Sequence, residues 1–100
     1  MQTNLSVADG KAVIKLQGRF DFNAHREFRE IIDKAMAATA REMQIDMSGV
    51  DYLDSSALGM LLMLRDKAKT ATRDVALTNC SGAVKQVLEI ANFSKLFKVL

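Results

Sequence analysis

The chain has no proline and no tryptophan, and its 100 residues include only one cysteine and one histidine. A single cysteine excludes an intramolecular disulfide, which fits a reducing compartment. One histidine and one cysteine also do not make up the cluster of ligands that a zinc site needs. Because proline is absent, the turns must depend on Gly, Asn, Asp and Ser.

The charge is nearly balanced, with 14 basic against 12 acidic residues and a net charge of +2. The hydrophobic content of 49% and the charged content of 26% are typical of a globular protein. The densest basic stretch, from Arg65 to Arg73, follows an apolar helical segment, where cations favour a helix C-terminus. Since no aromatic residues are interleaved with these cations, we expect no direct binding of nucleic acid.

Long hydrophobic runs are also missing. The longest is Met60 to Leu64, whereas a membrane helix needs about 18 apolar residues. Met1 is followed by polar residues, so we predict no signal peptide and no membrane insertion. The sequence therefore predicts a cytoplasmic protein that is a single domain over residues 1–100.

The first half of the chain shows strand, helix and strand patterns in turn. Two apolar segments, Leu5–Val7 and Ala12–Leu16, flank Asp9-Gly10, a dipeptide typical of a β-hairpin turn. Apolar residues then recur with helical spacing, which predicts a helix ending near Ala40; they are Phe28, Ile31, Ile32 and Ala35. Met43, Ile45 and Met47 alternate with polar residues, which predicts a strand. Residues 50–53 would follow as a loop or a second extended piece.

The second half continues the alternation. A helix follows Ser55-Ser56, and Val75–Thr78 is a predicted strand. A third helix is predicted from the spacing of Val84, Val87, Leu88 and Ala91, with Ser81 as its N-cap and Asn92 closing it in a left-handed conformation. The last apolar residues, 98–100, would form an edge strand. This order predicts an α/β fold, a mixed sheet with an N-terminal antiparallel hairpin and otherwise parallel strands, with helices packed against it.

The helix after Ser55-Ser56 is apolar nearly all round, which is typical of a buried helix. A domain of this size can hardly bury every side of one helix, so part of the apolar surface is expected to be exposed to a partner. We place Leu58 and Met60 on that surface, together with Phe22. On this hypothesis, Met60→Lys weakens partner binding and leaves the melting temperature unchanged.

The stretch Asp46–Gly59 is the most informative part of the sequence. A strand ends, and Asp54, Ser55 and Ser56 lie just ahead of a helix, where open α/β sheets have their sites. A helix N-terminus stabilises a phosphate, because its N–H groups are free. Asp and Ser are also ordinary N-caps at such a position. One serine can cap the helix while the other has a different role.

Catalysis and metal binding have weaker support. His25, the only histidine, follows a different strand and is expected on the surface at a helix start, and no nucleophile-elbow motif surrounds Ser55. Four aspartates could gather and hold Mg²⁺, although such residues are more often caps and solvated loop residues; they are Asp21, Asp46, Asp51 and Asp54. Cys80 is expected to be a buried, inert thiol. We therefore predict no catalytic residue, no metal and no cofactor.

Three segments resemble the STAS family, the domain of sulfate transporters and anti-sigma factor antagonists. The central motif of that family is similar to Asp46-Met47-Ser48 followed by Asp54-Ser55-Ser56-Ala57-Leu58-Gly59. Gly18-Arg19-Phe20-Asp21 resembles the segment after the family's second strand. Ala91–Phe97 resembles its closing helix-to-strand segment. Ala57 stands where glycine is common in the family.

The resemblance implies the sheet-and-helix fold predicted above and the function of an anti-sigma factor antagonist. It implies that Ser55 is the phosphorylated residue and that Asp21 lies near it and contacts the partner, while Asp54 and Ser56 flank the acceptor. The unphosphorylated protein would bind an anti-sigma factor that is also a serine kinase, and a serine phosphatase would reset it. An alternative is a constitutive subunit of a larger complex, such as a lipid-transport ATPase.

Overall fold

Strands and helices alternate along the chain after an initial pair of strands. The computed structural model describes residues 1–100. The strands are β1 (Gln2–Ala8), β2 (Lys11–Phe20), β3 (Glu42–Leu53), β4 (Asp74–Thr78) and β5 (Lys98–Val99). The helices are α1 (His25–Ala37), α2 (Ser55–Thr70) and α3 (Gly82–Ile90), and 3-10 turns at Phe22–Ala24 and Phe93–Lys95 precede α1 and β5. None of these helices combines the length and the apolar character that crossing a bilayer requires.

The five strands form one sheet in the order β1-β2-β3-β4-β5. β1 is antiparallel to β2, and the other neighbours are parallel. The predicted mixed α/β fold is therefore confirmed. The predicted hairpin turn is confirmed as well, because Asp9 and Gly10 both have positive φ angles, of 54° and 76°, as a type I′ turn requires.

The core lies between the sheet and the helices. Each crossover leads to the next strand in the same direction, so the usual right-handed connection places the helices on one face of the sheet. The side chains of β2 and β3 on that face are buried: Ala12, Ile14, Leu16, Met43, Ile45 and Met47. Phe20 at the end of β2 contacts Phe28 of α1, with ring centroids 4.9 Å apart. This contact fixes the start of α1 against the end of β2.

β3 is longer than the sequence indicated. It is one continuous strand of 12 residues, where the alternation had predicted a strand ending near Met47. Its register against β2 shifts between Lys15 and Gln17 and again between Gly18 and Arg19. Because of the first shift, the next buried residue after Met47 is Val50 rather than residue 49. The shifts therefore let the strand continue to Leu53 with apolar side chains still facing the core.

Helix ends agree only in part with the predictions. α1 ends at Ala37 rather than near Ala40. Asn92 has a φ of 59°, so its predicted left-handed conformation after α3 is confirmed. Ser81 does occupy the N-cap position of α3, but its side chain makes no capping hydrogen bond.

The close approach of β2 to Gly49 generates a prediction about stability. A Cβ atom at residue 49 would lie 2.7 Å from Cγ of Gln17 and 2.8 Å from the carbonyl oxygen of Leu16. Since the backbone oxygen cannot move without breaking the register, Gly49→Ala should lower the free energy of unfolding by about 1–3 kcal/mol. Urea denaturation measures this change.

Gly59→Ala is the matched control. A Cβ atom at residue 59 meets nothing within 4 Å, and Gly59 lies inside α2. The added methyl group should stabilise the helix by about 0.5–1 kcal/mol. An equal effect of the two substitutions would contradict the close packing at Gly49.

Candidate functional site

Two aspartates lie side by side at the carboxyl edge of the sheet. The last residues of β2 and β3, Phe20 and Leu53, are direct partners in the parallel register. The next residue on each strand is an aspartate, Asp21 and Asp54, and neighbouring strands lie about 4.8 Å apart. The backbone N–H of Asp54 donates to the carbonyl of Phe20 at 3.4 Å. The register alone therefore makes neighbours of two aspartates that are 33 residues apart in sequence.

Asp54 is the N-cap residue of α2, so neither serine side chain serves as the cap. Its carboxylate accepts a hydrogen bond from the backbone N–H of Ala57 at 3.0 Å, and its carbonyl accepts from Leu58 at 3.1 Å. Ser55 and Ser56 are the first two helical residues, whose N–H groups have no acceptor inside the helix. Ser55 is exposed and Ser56 is half-buried. The hydroxyl of Ser55 is thus open to solvent at the positive end of the helix.

Asp21 has a similar role one strand away. Its Oδ1 accepts from the backbone N–H of Asn23 at 3.0 Å, which starts the 3-10 turn before α1. Its Oδ2 lies 3.5 Å from Nε of Arg19. The Arg19 guanidinium in turn lies 4.0 Å from the centre of the Tyr52 ring, a cation–π contact. Arg19 therefore offsets part of the negative charge at this edge.

A shallow groove of about 270 Å³ runs from the turn after β2 to α2. Its lining residues are Phe22, His25, Ser56, Gly59, Met60 and Met63. Phe22 is 72% exposed, which is unusual for a large aromatic residue, and Met63 is also exposed. An open apolar groove beside charged groups is typical of a protein-binding surface.

The structure corrects the expectation for Met60. Its side chain is 4% exposed and packs in the core with Ala57, Leu61 and Leu64. Met60 forms only the floor of the groove, and Met63, one turn further along α2, supplies the exposed apolar surface. Leu58 is half-buried against the core. Of the predicted site residues, Asp21, Phe22, Asp54, Ser55 and Ser56 lie at the same edge of the sheet.

The groove and the edge beside it also include residues that the sequence argument did not assign to the site. Gly59 and Met63 follow Ser56 at the spacing of one and two helical turns, so they lie on one side of α2. Arg19 and Tyr52 are direct partners in the register of β2 and β3. The helical spacing was visible in the sequence, whereas the pairing of Arg19 with Tyr52 depends on the bulged register.

The site contains neither a serine–histidine hydrogen bond nor a cluster of metal ligands. His25 is exposed at the start of α1, as predicted, and makes no hydrogen bond with either serine. No three His, Cys, Asp or Glu side chains lie close enough together to hold a metal ion. The four aspartates do not gather, because Asp46 is hydrogen-bonded to Ser48 and Asn79 and Asp51 points to solvent.

Asp46 and Cys80 are the ionisable groups with perturbed pKa values. Burial opposes ionisation of Asp46, but hydrogen bonds from Ser48 and Asn79 outweigh it and hold its pKa below the ordinary 3.8. Burial raises the pKa of the Cys80 thiol, which is half-buried. A raised pKa keeps this thiol protonated and unreactive at neutral pH.

Comparison with known proteins identifies the family. The family model described as "Mlab, STAS domain" matches residues 3–99. The chain belongs to the STAS-domain family. A STAS-domain-containing protein of Pseudomonas aeruginosa (strain UCBPP-PA14) is 48% identical over 98 residues, which cover 97% of this chain and 96% of that protein.

Solved structures described as anti-sigma factor antagonists share the fold. An anti-sigma factor antagonist from Mycobacterium paratuberculosis superposes with a TM-score of 0.87 at 21% identity, covering 98% of this chain and 83% of that one. The unphosphorylated antagonist SpoIIAA gives a TM-score of 0.80 at 18% identity, covering 99% of this chain and 88% of that one. The phosphorylated form of the Bacillus protein SpoIIAA gives 0.73 at 19% identity, covering 99% and 91%. These likenesses confirm the STAS fold.

Met60 and Met63, the two methionines of the groove, are expected to differ in how much they contribute to stability. Met60→Lys places a charge in the core and should cost about 3 kcal/mol or more, with a clear fall in melting temperature. Met63→Lys lies on the surface and should change stability by less than about 0.5 kcal/mol. Thermal denaturation followed by circular dichroism compares them. Equal melting temperatures would show that Met60 is not a core residue.

Asp46→Asn tests the contact between the Asp46 carboxylate on β3 and the side chain of Asn79, which follows β4. A carboxyl group whose pKa is lowered by folding stabilises the protein above pH 3.8, and this contribution is lost as pH falls through the lower folded-state pKa. We expect the variant to be less stable by about 1 kcal/mol at neutral pH. The difference should shrink as pH falls below 3.8. A difference independent of pH would contradict a role for the charge.

Proposed function

We propose that this STAS protein is a cytoplasmic anti-sigma factor antagonist controlled by phosphorylation of Ser55. The unphosphorylated protein binds an anti-sigma factor that is also a serine kinase, and this releases the sigma factor. The observation that carries the proposal is the exposed hydroxyl of Ser55, which is free of capping because Asp54 caps α2. The protein supplies only the acceptor, while the kinase supplies Mg-ATP, so it needs no catalytic residue or cofactor of its own.

The groove beside Ser55 is the proposed partner surface. Phe22 is its most exposed apolar residue, and aromatic residues are common anchors of protein interfaces. Met63 extends the apolar area, and Asp21, Asp54 and Ser56 form a polar border. Leu58 supports this surface from the adjacent side of α2. A partner that covers Phe22 and Met63 must also lie close to Ser55.

A phosphoryl group on Ser55 changes the charge of this surface by about −1.5 to −2 at neutral pH. The N-terminus of α2 stabilises the phosphate itself. The neighbouring carboxylates of Asp54 and Asp21 repel it, and the Arg19 guanidinium at this edge is already in contact with Asp21 and Tyr52. A partner that docks here would have to bury an uncompensated phosphate, which is costly. Binding therefore ends without refolding of the domain, and a serine phosphatase restores it.

A second candidate function is that of a constitutive subunit of a larger complex, such as a lipid-transport ATPase. The matching family model is described by the name Mlab rather than as an anti-sigma factor antagonist. The same groove would hold the partner, but no phosphorylation cycle would be needed. The two functions differ in whether Ser55 is modified.

Intact mass of the protein isolated from its native cells tests the proposal first. We expect a phosphate-sized addition on the wild type and on Ser56→Ala, and none on Ser55→Ala. Ser56→Ala is the matched control, because it removes the neighbouring hydroxyl at the same helix end. An unmodified protein under every growth condition that co-purifies with one stable complex would favour the constitutive subunit.

Ser55→Asp should weaken binding of the co-purified partner at least about tenfold, because a carboxylate reproduces part of the phosphate charge. Met63→Lys should weaken it as well without lowering the melting temperature. Isothermal titration calorimetry measures both affinities. If Met63→Lys binds the partner with full affinity, the groove is not part of the interface.

A further inference from the structure

β1 is an unprotected sheet edge. Its seven residues, Gln2–Ala8, include no charged side chain and no proline, and its register with β2 runs without a bulge. Exposed edges in natural proteins usually carry lysine, proline or a bulge, or are very short, because they otherwise pair with other chains. The opposite edge follows this rule, since β5 has only two residues and one of them is Lys98. The lack of protection at β1 therefore needs an explanation.

The hairpin turn determines which backbone groups point outward. In a hairpin with a two-residue turn, the residues flanking the turn, Ala8 and Lys11, form a hydrogen-bonded pair, and such pairs alternate along the strands. The N–H and C=O groups of Thr3, Leu5 and Val7 therefore point away from β2. β1 pairs with no strand other than β2. These donors and acceptors are left to solvent unless another extended strand pairs with them.

We propose that β1 pairs antiparallel with β1 of a second copy of the chain, around a two-fold axis at Leu5. This register pairs Leu5 with Leu5 of the second copy and Thr3 with Val7. Because side chains alternate across a strand, the apolar residues of both copies lie on the helix face of one continuous sheet. Val7, which is 49% exposed in the single chain, would then be partly covered. No like charges meet, since the strand has none.

The charges of α1 favour the same arrangement. Asp33 of α1 forms an ion pair with Lys67 of α2 at 3.1 Å, so this side of α1 faces α2. Glu27 and Lys34 lie about 100–120° round the helix from Asp33, and because they are seven residues apart they are nearly in line along it. α1 packs close to β1, so that side faces the open edge. A two-fold axis makes the two α1 helices antiparallel and brings Glu27 of each toward Lys34 of the other.

The dimer leaves the candidate site free. Ser55 lies at the carboxyl edge of β3, and the two sheets run in opposite directions across the β1 pair. The two Ser55 residues are therefore at opposite ends of the continuous sheet. One dimer can present two groove surfaces, so the inference does not depend on the identity of the groove's partner.

Sedimentation velocity of the wild type over about 1 µM to 1 mM tests the pairing, with Val7→Pro as the disrupting variant. The N–H of Val7 points outward, so proline there removes no bond to β2, as is usual for proline in edge strands. We expect the wild type to dimerise as concentration rises and Val7→Pro to weaken the dimer at least about tenfold. Its melting temperature at low concentration should stay close to that of the wild type.

A charge exchange on α1 gives a second test that does not touch the strand. Glu27→Lys should weaken the dimer by repulsion from Lys34 of the second copy, and the double variant Glu27→Lys, Lys34→Glu should restore it. Glu89→Lys, the same charge change on the exposed side of α3, is the matched control and should have no effect. A wild type that stays monomeric at every concentration overturns the proposal. The open edge would then be available for pairing with an extended segment of another protein. A dimer unaffected by Val7→Pro overturns it as well.

Discussion

The parallel pairing of the ends of β2 and β3 is the constraint on which the site depends. Phe20 and Leu53 are direct partners, and both strands end there. Two register shifts are needed to reach this match, because β3 runs 12 residues and β2 only 10. Gly49 makes the first shift possible, since β2 approaches it too closely for a side chain. Without the shift, Val50 and Leu53 would turn away from the core and the two aspartates would no longer be neighbours.

Because the two aspartates act as caps, the residues that follow them are not needed for capping. Each caps the element after its strand, Asp21 the 3-10 turn and Asp54 the helix α2. A serine at the cap position would have its oxygen engaged with the backbone and would be a poor acceptor of a phosphoryl group. With Asp54 as cap, Ser55 has an exposed hydroxyl on a backbone that is held firmly on both sides. The proposed switch therefore needs only a local change of charge on a rigid surface.

Much of this fold could be predicted from the sequence, because its signals are local. Asp9-Gly10 defines the hairpin, and the spacing of apolar residues defines α1 and α3. The length of β3 could not be predicted, because Ser48-Gly49 resembles a strand end unless the close packing against β2 is known. The position of Met60 could not be predicted for a related reason. α2 is apolar on nearly every side, so its pattern has no polar face to show which methionine points to the core.

The exposed side of α2 and the free edge of β1 both follow from the small size of the domain. A chain of 100 residues with all three helices on one face of the sheet can cover only part of its apolar and hydrogen-bonding surface. What it leaves open is separated in space, with Phe22 and Met63 at the carboxyl edge and Thr3, Leu5 and Val7 at the side. The first surface is next to Ser55 and is sensitive to its charge. The second is remote from Ser55 and has no charged strand residue to respond, so the proposed phosphorylation would control the proposed groove contact while the proposed dimer persists.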